Sequence, residues 1–336
     1  MKKVGKNSII FDDVYLLSTG TCCGYKEHLG PLGSYFDKYY KDPYCDEKSF
    51  EQGEIKLLKD AIKIALAKVS YSPNMIDCYV GGDLNNQIAV TSYTLKDFNI
   101  PYLGVYSACS TLTESIIVAS LLLSSGFGEN ILFGSSSHNE TSERQFRNPT
   151  EYGGQKSNTL TSTATGAGCG ILSKKVADVK VTKATIGVPV ESPIKDASDM
   201  GRAMAPAAVD TLRHFLDDFK MDVDDLDLIV TGDLSAYGSI SFLKILNGFG
   251  INLKDNYRDS GLLLYDTKKQ NVYAGGSGAG CVTLVTLGYL NKLLLEGKIK
   301  KVLIIATGAL LNPIMVAQKL NIPSIAHAVM LEGGVR

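Results

Sequence analysis

Histidine is scarce in this chain. Four residues, His28, His138, His214 and His327, are scattered along 336 positions. No His/Cys spacing suits zinc, so no metal site and no cofactor is expected. Neither sign of charge is in excess. A formal net charge of −1 leaves no electrostatic footprint for nucleic acid or an anionic membrane. Long apolar runs are missing as well: the longest nearly continuous one, Ile116 to Leu123, is far too short to span a bilayer. The start, "MKKVGKNSIIFDD", is basic, but its apolar part is brief and two aspartates come next, so no signal peptide is expected. The seven cysteines (Cys22, Cys23, Cys45, Cys78, Cys109, Cys169 and Cys281) show no paired framework, which reads as reduced and cytosolic. What remains, 45% hydrophobic and 21% charged, is an ordinary soluble composition. The length allows one large core or two fused ones.

An internal repeat organises the chain. "CYVGGDLNNQ" at 78–87 is echoed by "LIVTGDLSAYGS" at 228–239, each a short β-like run ending in Gly-Asp-Leu. "ASLLLSSGFGENILFGSSS" and "GYLNKLLLEGKIKKVLIIATGA" form a second pair: an apolar helix closes at a glycine, crosses a polar turn and enters a buried strand. Gly126 and Gly297 suit the position just past a helix end. The helix-end copies are further apart than the Gly-Asp-Leu copies, which places an insertion in the second half, in the loop-rich stretch 248–271. Apolar stripes predict helices over 52–69 and 200–219, with strands next at 77–80 and 227–230. Such alternation means an α/β sheet, and two copies suggest a pseudo-twofold molecule joined near 174–183. The two halves are expected at 1–178 and 179–336.

Cys109 lies where a plausible buried strand, "IPYLGVY", turns into a helix that is apolar on nearly all sides over 111–124. Ser110 or Thr111 can cap that helix, and Thr111 to Glu114 fits a capping box. A cysteine at the positive end of a buried helix favours a thiolate or a bound anion. A small packing cysteine is the common alternative.

These residues carry a resemblance. A repeated α/β half with a cysteine at the head of a buried central helix is similar to the thiolase and ketoacyl-synthase superfamily. Gly166-Ala167-Gly168 matches its Gly-Ala-Gly strand, and "YAGGSGAGC" at 273–281 its glycine-rich loop in the second half. At closer range, "GPLGSYFDKYY", "SSSHNETSERQFRNPTEYGGQK", "DMGRAMAPAAVDT" and "ATGALLNPIMVAQK" resemble the stage V sporulation protein AD family of endospore-forming bacteria, almost end to end. The resemblance implies a thiolase-like fold with layers αβαβα. It also implies a role in binding dipicolinic acid, with calcium, for uptake into the developing spore and release on germination. Partners would be the other proteins of the spore dipicolinate channel complex, with peripheral attachment to the inner membrane through them, and a second copy of the chain in a homodimer through the sheet edge of the first half.

Binding without catalysis is the expectation. A condensing enzyme needs a base or imidazolium beside its thiol. The loop after the second Gly-Asp-Leu contains no histidine, His327 reads as a core residue, and His214 as a surface one. No Cys-His pair can be assembled. The alternative is an acyl-transferring enzyme with Cys109 as nucleophile. The glycine run at 275–280 does not have dinucleotide spacing. Its small residues suit close approach to a ligand, with helix N-termini at 109–111 and 277–281 converging on carboxylates. The candidate ligand-binding residues are Cys109, Ser110, Asp83, Asn86, His138, Ser277, Gly278 and Gly280. Gln87, Arg144 and Arg147 are further candidates for the pocket wall or carboxylate pairing, and Cys281 for a second thiol. Asp83 and Asp233 have a simpler reading as paired turn caps.

Overall fold

The computed structural model describes residues 1–146 and 152–334. Ten strands form its spine: β1 (Tyr15–Gly24), β2 (Cys78–Gly82), β3 (Tyr102–Gly104), β4 (Asn130–Ser137), β5 (Gly166–Ser173), β6 (Val179–Thr185), β7 (Leu228–Thr231), β8 (Tyr257–Asp259), β9 (Lys301–Ala309) and β10 (Pro323–Gly333). Their spatial order is β8-β7-β9-β10-β6-β1-β5-β4-β2-β3. The order reads the same outwards from the centre in both directions, and so do the strand senses. β1 and β4 run antiparallel to β5, and β2 is parallel to β4 and β3. β6 and β9 run antiparallel to β10, and β7 is parallel to β9 and β8. The halves meet where β6 pairs β1 for two residues, Val179 opposite Leu16 and Lys180 opposite Tyr15. The repeat seen in the sequence is therefore a repeat of topology.

Six helices complete the site's frame: α1 (Phe50–Lys68), α2 (Thr111–Ser125), α3 (Asn139–Phe146), α4 (Met200–Phe219), α5 (Ser235–Gly248) and α6 (Ala279–Leu295). α1 covers the outer face of β1 and β5, and α4 with α5 covers β9 and β10. α2 packs on β2 and β4 on one side and on β9 and β10 on the other, with α6 beside it. The result is five layers, α1, first sheet, α2 with α6, second sheet, α4 with α5. Sequence explains the choice of middle layer. Leu112, Ile116, Ala119 and Leu123 of α2 and Val282, Leu284, Val285 and Leu290 of α6 are all buried. A helix without a wet face must be covered on both sides. The span Ala108–Ser125 is apolar and long enough to cross a membrane, yet 67% of it is buried inside the fold. α6 contains a π-helical stretch, Val285–Leu290, at its centre.

Two sequence expectations change here. "IPYLGVY" is not a buried strand: only Tyr102–Gly104 pairs, at the outer edge beside β2, and Leu103 is 46% exposed. An edge strand needs fewer apolar neighbours than its composition suggested. The extra length of the second half does not include β8, which is the counterpart of β3; it falls mainly between β8 and α6 and includes a short helix over Ser260–Leu264.

α1 begins at Ser49, whose hydroxyl accepts from the Gln52 N–H at 3.2 Å, and lies close on β1 because Gly20 has no side chain. A Cβ there would sit 2.2 Å from the Ala61 carbonyl oxygen and 2.7 Å from the Ala65 nitrogen, both helix backbone. Gly20→Ala should therefore lower stability by about 1–3 kcal/mol through overpacking. Gly248→Ala, where a Cβ meets nothing within 4 Å, should stay within about 0.5 kcal/mol of wild type. Urea midpoints of the two variants compare them directly; equal midpoints would contradict the close helix-sheet approach.

Candidate functional site

α2 is entered through a tight turn over Ala108–Ser110. Ala108 has φ 52°, in the left-handed region that a residue with a Cβ rarely adopts. The turn is over-determined by its own hydroxyls. Ser110 Oγ lies 2.6 Å from the Ser107 carbonyl, and Thr111 Oγ1 accepts from the Ser107 N–H at 3.2 Å and donates to the Ala108 carbonyl at 2.7 Å. The capping box does not form. Ser110 is the N-cap, and its side chain makes no capping bond. The strained turn lifts Cys109 to half-exposure, while the other six cysteines are buried.

The side chain that meets the Cys109 thiol comes from the second half. Asp233, just past the end of β7, lies near enough to it for the thiol to favour the charged carboxylate. Asp233 also accepts from the Gly278 N–H at 3.0 Å and from Thr307 Oγ1 at 2.7 Å. Burial pushes its carboxyl up to about 6, against the downward pull of these donors. A second buried carboxylate, Asp259 on β8, accepts from Thr231 Oγ1 and from the N–H groups of Leu234 and Ser235. Burial, with the Asp233 charge, raises Asp259 to about 7 despite those donors.

Cys109, Tyr106, Ala108 and Thr163 of the first half, with Met200, Ser277 and Leu311 of the second, line a chamber of about 30 Å³. That is about one water's share of liquid volume. Beyond Tyr106, Phe146 and Leu311, which wall both spaces, lies a vestibule of about 570 Å³. Its polar lining is carboxamide: Asn85, Asn86, Gln87, Gln145 and Asn312. Gln145 ties this rim together, donating to the Leu84 carbonyl at 2.8 Å and accepting from the Asn86 N–H at 3.0 Å. Burial raises the Tyr106 phenol to about 12, with Cys109 and Asp83 adding to the shift.

The structure brings together some of the predicted residues and separates others. Cys109 and Ser277 face the chamber, and Asn86 and Gln87 the vestibule. Ser110 is buried and turned back to Ser107. Gly278 and Gly280 stand beside the site, but their N–H groups are already used, by Asp233 and by Ser137 Oγ at 3.0 Å. The head of α6 thus holds an internal carboxylate where a ligand's was expected. Asp83 lies away from the chamber wall. It accepts from Thr91 N–H and Oγ1, both at 2.7 Å, and from the Asn85 N–H at 2.8 Å, so its oxygens serve a turn. His138 is likewise displaced: Nε2 donates to the Pro43 carbonyl at 2.8 Å, Nδ1 accepts from the Glu140 N–H, and burial lowers its pKa. Arg144 sits over the Phe50 ring, and Cys281 is a buried core residue whose thiol burial pushes up. Arg147 lies outside the described residues. Sequence reasoning missed Asp233. The Gly-Asp-Leu repeat flagged it, but equivalence in sequence suggested equivalence in role.

Residues 5–332 match the family of Stage V sporulation protein AD. Stage V sporulation protein AD of Bacillus subtilis (strain 168) is 46% identical over 333 residues, covering 99% of this chain and 98% of that protein. The chain belongs to the stage V sporulation protein AD family. Among solved structures, 3-oxoacyl-[acyl-carrier-protein] synthase III from Aquifex aeolicus VF5 superposes with a TM-score of 0.57 at 13% identity, over 95% of this chain and 99% of that one. A variant of OleA from Xanthomonas campestris gives 0.61 at 12% identity, over 96% and 99%. At such identity the likeness is one of fold, and it is the thiolase-like fold that the repeat and the cysteine turn implied. This member of the sporulation family carries that fold with a carboxylate at its thiol.

Each half also carries a pair of buried carboxylates, Asp233 with Asp259 in the second and Asp83 with Glu54 in the first. Burial raises Glu54 to about 8, with the Asp83 charge adding to it, although Ser136 and Asn85 donate to the carboxylate. An acid whose folded pKa is raised stabilises the fold below its unfolded value, here 4.5, and that contribution fades as pH rises through the folded one. Glu54→Gln should therefore gain stability relative to wild type between pH 4.5 and 8. Denaturant unfolding of both proteins at several pH values measures this, and a constant difference would show that Glu54 titrates normally.

Proposed function

We propose that this protein binds dipicolinic acid, with calcium, at the Cys109 chamber and its vestibule, and that it does not turn over an acyl thioester. In this reading it serves uptake of the acid into the developing spore and its release on germination. It works with the other proteins of the spore dipicolinate channel complex, as a homodimer, and is held at the inner membrane by those partners. Membership of a sporulation family supports the setting. The observation that supports the non-catalytic part is that no histidine is among the described residues lining the Cys109 chamber. Acyl transfer needs a group that takes the thiol proton and then steadies the anion. Two of the four histidines, His138 and His327, are buried and hydrogen-bonded to main-chain groups; His214 accompanies Asp210 on the outer helix α4.

The shapes favour a small planar ligand lodged in the vestibule, with one end passing the Tyr106, Phe146 and Leu311 neck. The chamber alone is too small for it. Carboxamides on the rim can donate to carboxylate oxygens without carrying charge. Asp233 makes an unaccompanied dianion unfavourable, so the acid enters with a cation or a proton.

Calorimetric titration with dipicolinate, with and without calcium, tests this. Saturable binding is expected, tighter with calcium, and weakened about tenfold or more in Asn86→Ala and Cys109→Ala, in line with a lost contact of about 1–3 kcal/mol. Asp83→Asn should bind as wild type does. An absence of saturable heat would remove the small-ligand reading. A burst of acyl-enzyme with acyl-CoA that disappears in Cys109→Ala would instead establish an enzyme.

A further inference from the structure

The vestibule is polar without charge: no Lys, Arg, His, Asp or Glu is among the described residues that line it. A carboxamide lining reads a ligand through the direction in which each amide points, since one end accepts and the other donates. Hydrogen bonds fix that direction at four of the five carboxamides, Gln87 being the exception. Gln145 Nε2 faces the Leu84 carbonyl at 2.8 Å, which only an N–H can do, and also donates to Asn86 Oδ1 at 3.2 Å. Gln145 Oε1 takes the Asn86 N–H at 3.0 Å. Asn86 is thereby held with its oxygen towards Gln145, and its amide nitrogen has no partner among the described residues. Asn312, from the second half, is held by a different device. Its Oδ1 accepts from the N–H groups of Ile314 at 2.9 Å and Met315 at 3.3 Å, capping the short helix Pro313–Ala317, so its amide nitrogen is left over too. Asn85 is the contrast, its amide nitrogen being taken by Glu54 Oε2 at 3.0 Å.

The turn that carries Asn86 is strained. Gln87 has φ 61° and Ile88 φ 47°, two successive left-handed residues without a glycine, the second of them β-branched. Ile88 is tucked against Gly104, where a Cβ would sit 2.3 Å from its Cδ1. Backbone in that state persists only where its surroundings enforce it, and it concentrates at ligand sites. Two oriented, uncharged donors, one from each half, suit a single ligand with an acceptor at either end. Carboxylates are such acceptors, and neutral donors suffice for them when a cation already balances their charge. We propose that Asn86 and Asn312 form a two-armed clamp, each giving an amide N–H to one carboxylate of a planar dicarboxylate, and that Asn312 sets the preference for two carboxylates over one. The clamp rests on the binding reading above and adds to it a residue of the second half.

The test is calorimetric titration of the full chain, in calcium, with dipicolinate and in parallel with pyridine-2-carboxylate, which has one carboxylate. Asn312→Ser keeps a capping oxygen and removes the amide. It should weaken dipicolinate about tenfold or more but pyridine-2-carboxylate less than about threefold, because a single carboxylate can still use Asn86. Asn86→Ala should show the same split, and the double variant should lose both ligands. An Asn312→Ser chain that binds dipicolinate as wild type does overturns the clamp and leaves the binding reading standing. So does an equal loss for the two ligands, the mark of a displaced loop. If wild type gives no saturable heat with dipicolinate, the binding reading falls and the clamp with it. Should Asn312→Ser melt below wild type, Asn312→Thr, which also keeps a capping oxygen, takes its place with the same expectations. Should the monocarboxylate bind wild type too weakly to measure, the dipicolinate loss at an unchanged melting temperature decides.

Discussion

Everything in this molecule depends on two helices that have no side to give to water. α2 and α6 are apolar around most of their circumference, so each must be covered from above and below. Two sheets close over them, and the sheets' outer faces are in turn covered by α1 and by α4 with α5. The pseudo-twofold arrangement brings the N-terminal ends of α2 and α6 to the seam between the halves. That is where backbone donors and a thiol come within reach of side chains from the opposite half. A site assembled this way is made of turns and strand ends, with the helices as its floor.

The interior then has to hold charge, and it does so by surrounding carboxylates with donors. Asp83 and Asp259 each take backbone N–H groups from the turn after a strand. Asp233 takes one N–H from the head of α6, placing a negative charge at a helix N-terminus where it is favourable. Glu27 is hydrogen-bonded by the Tyr265 hydroxyl and the Thr165 N–H. An unpaired buried carboxylate costs several kcal/mol, so each is tied to its donors and fixes the loop that supplies them. The Asp233 network joins the end of β7 to β9 and to the head of α6, beside the cysteine turn.

Duplication supplied the architecture, but the copies have diverged in use. Asp83 and Asp233 hold corresponding places in the repeat. The first-half residue closes a turn around Asn85 and Thr91, and the second-half residue reaches the thiol. The difference lies in the segment after each strand. In the first half a short helix returns N–H groups to Asp83. In the second half Asp259 takes over that duty for Leu234 and Ser235, which leaves Asp233 to point across the seam.

The α/β class, the duplication, the helices α1, α2 and α4 to within a few residues, the glycine-terminated helix ends at Gly126 and Gly297, and the placement of Cys109 at the head of its helix were all legible in the amino-acid sequence. These depend on periodicity, helix-stop chemistry and repetition, which are local or self-similar along the chain. The group standing beside the thiol was settled only in three dimensions. Asp233 is 124 positions beyond Cys109, and only the pairing of β7 with β9 and the packing of α6 against the cysteine turn bring them together. His138 and Asp83 were misplaced for the same reason. A polar side chain at a strand end has several partners within reach, and which one it takes depends on neighbours that local sequence does not encode.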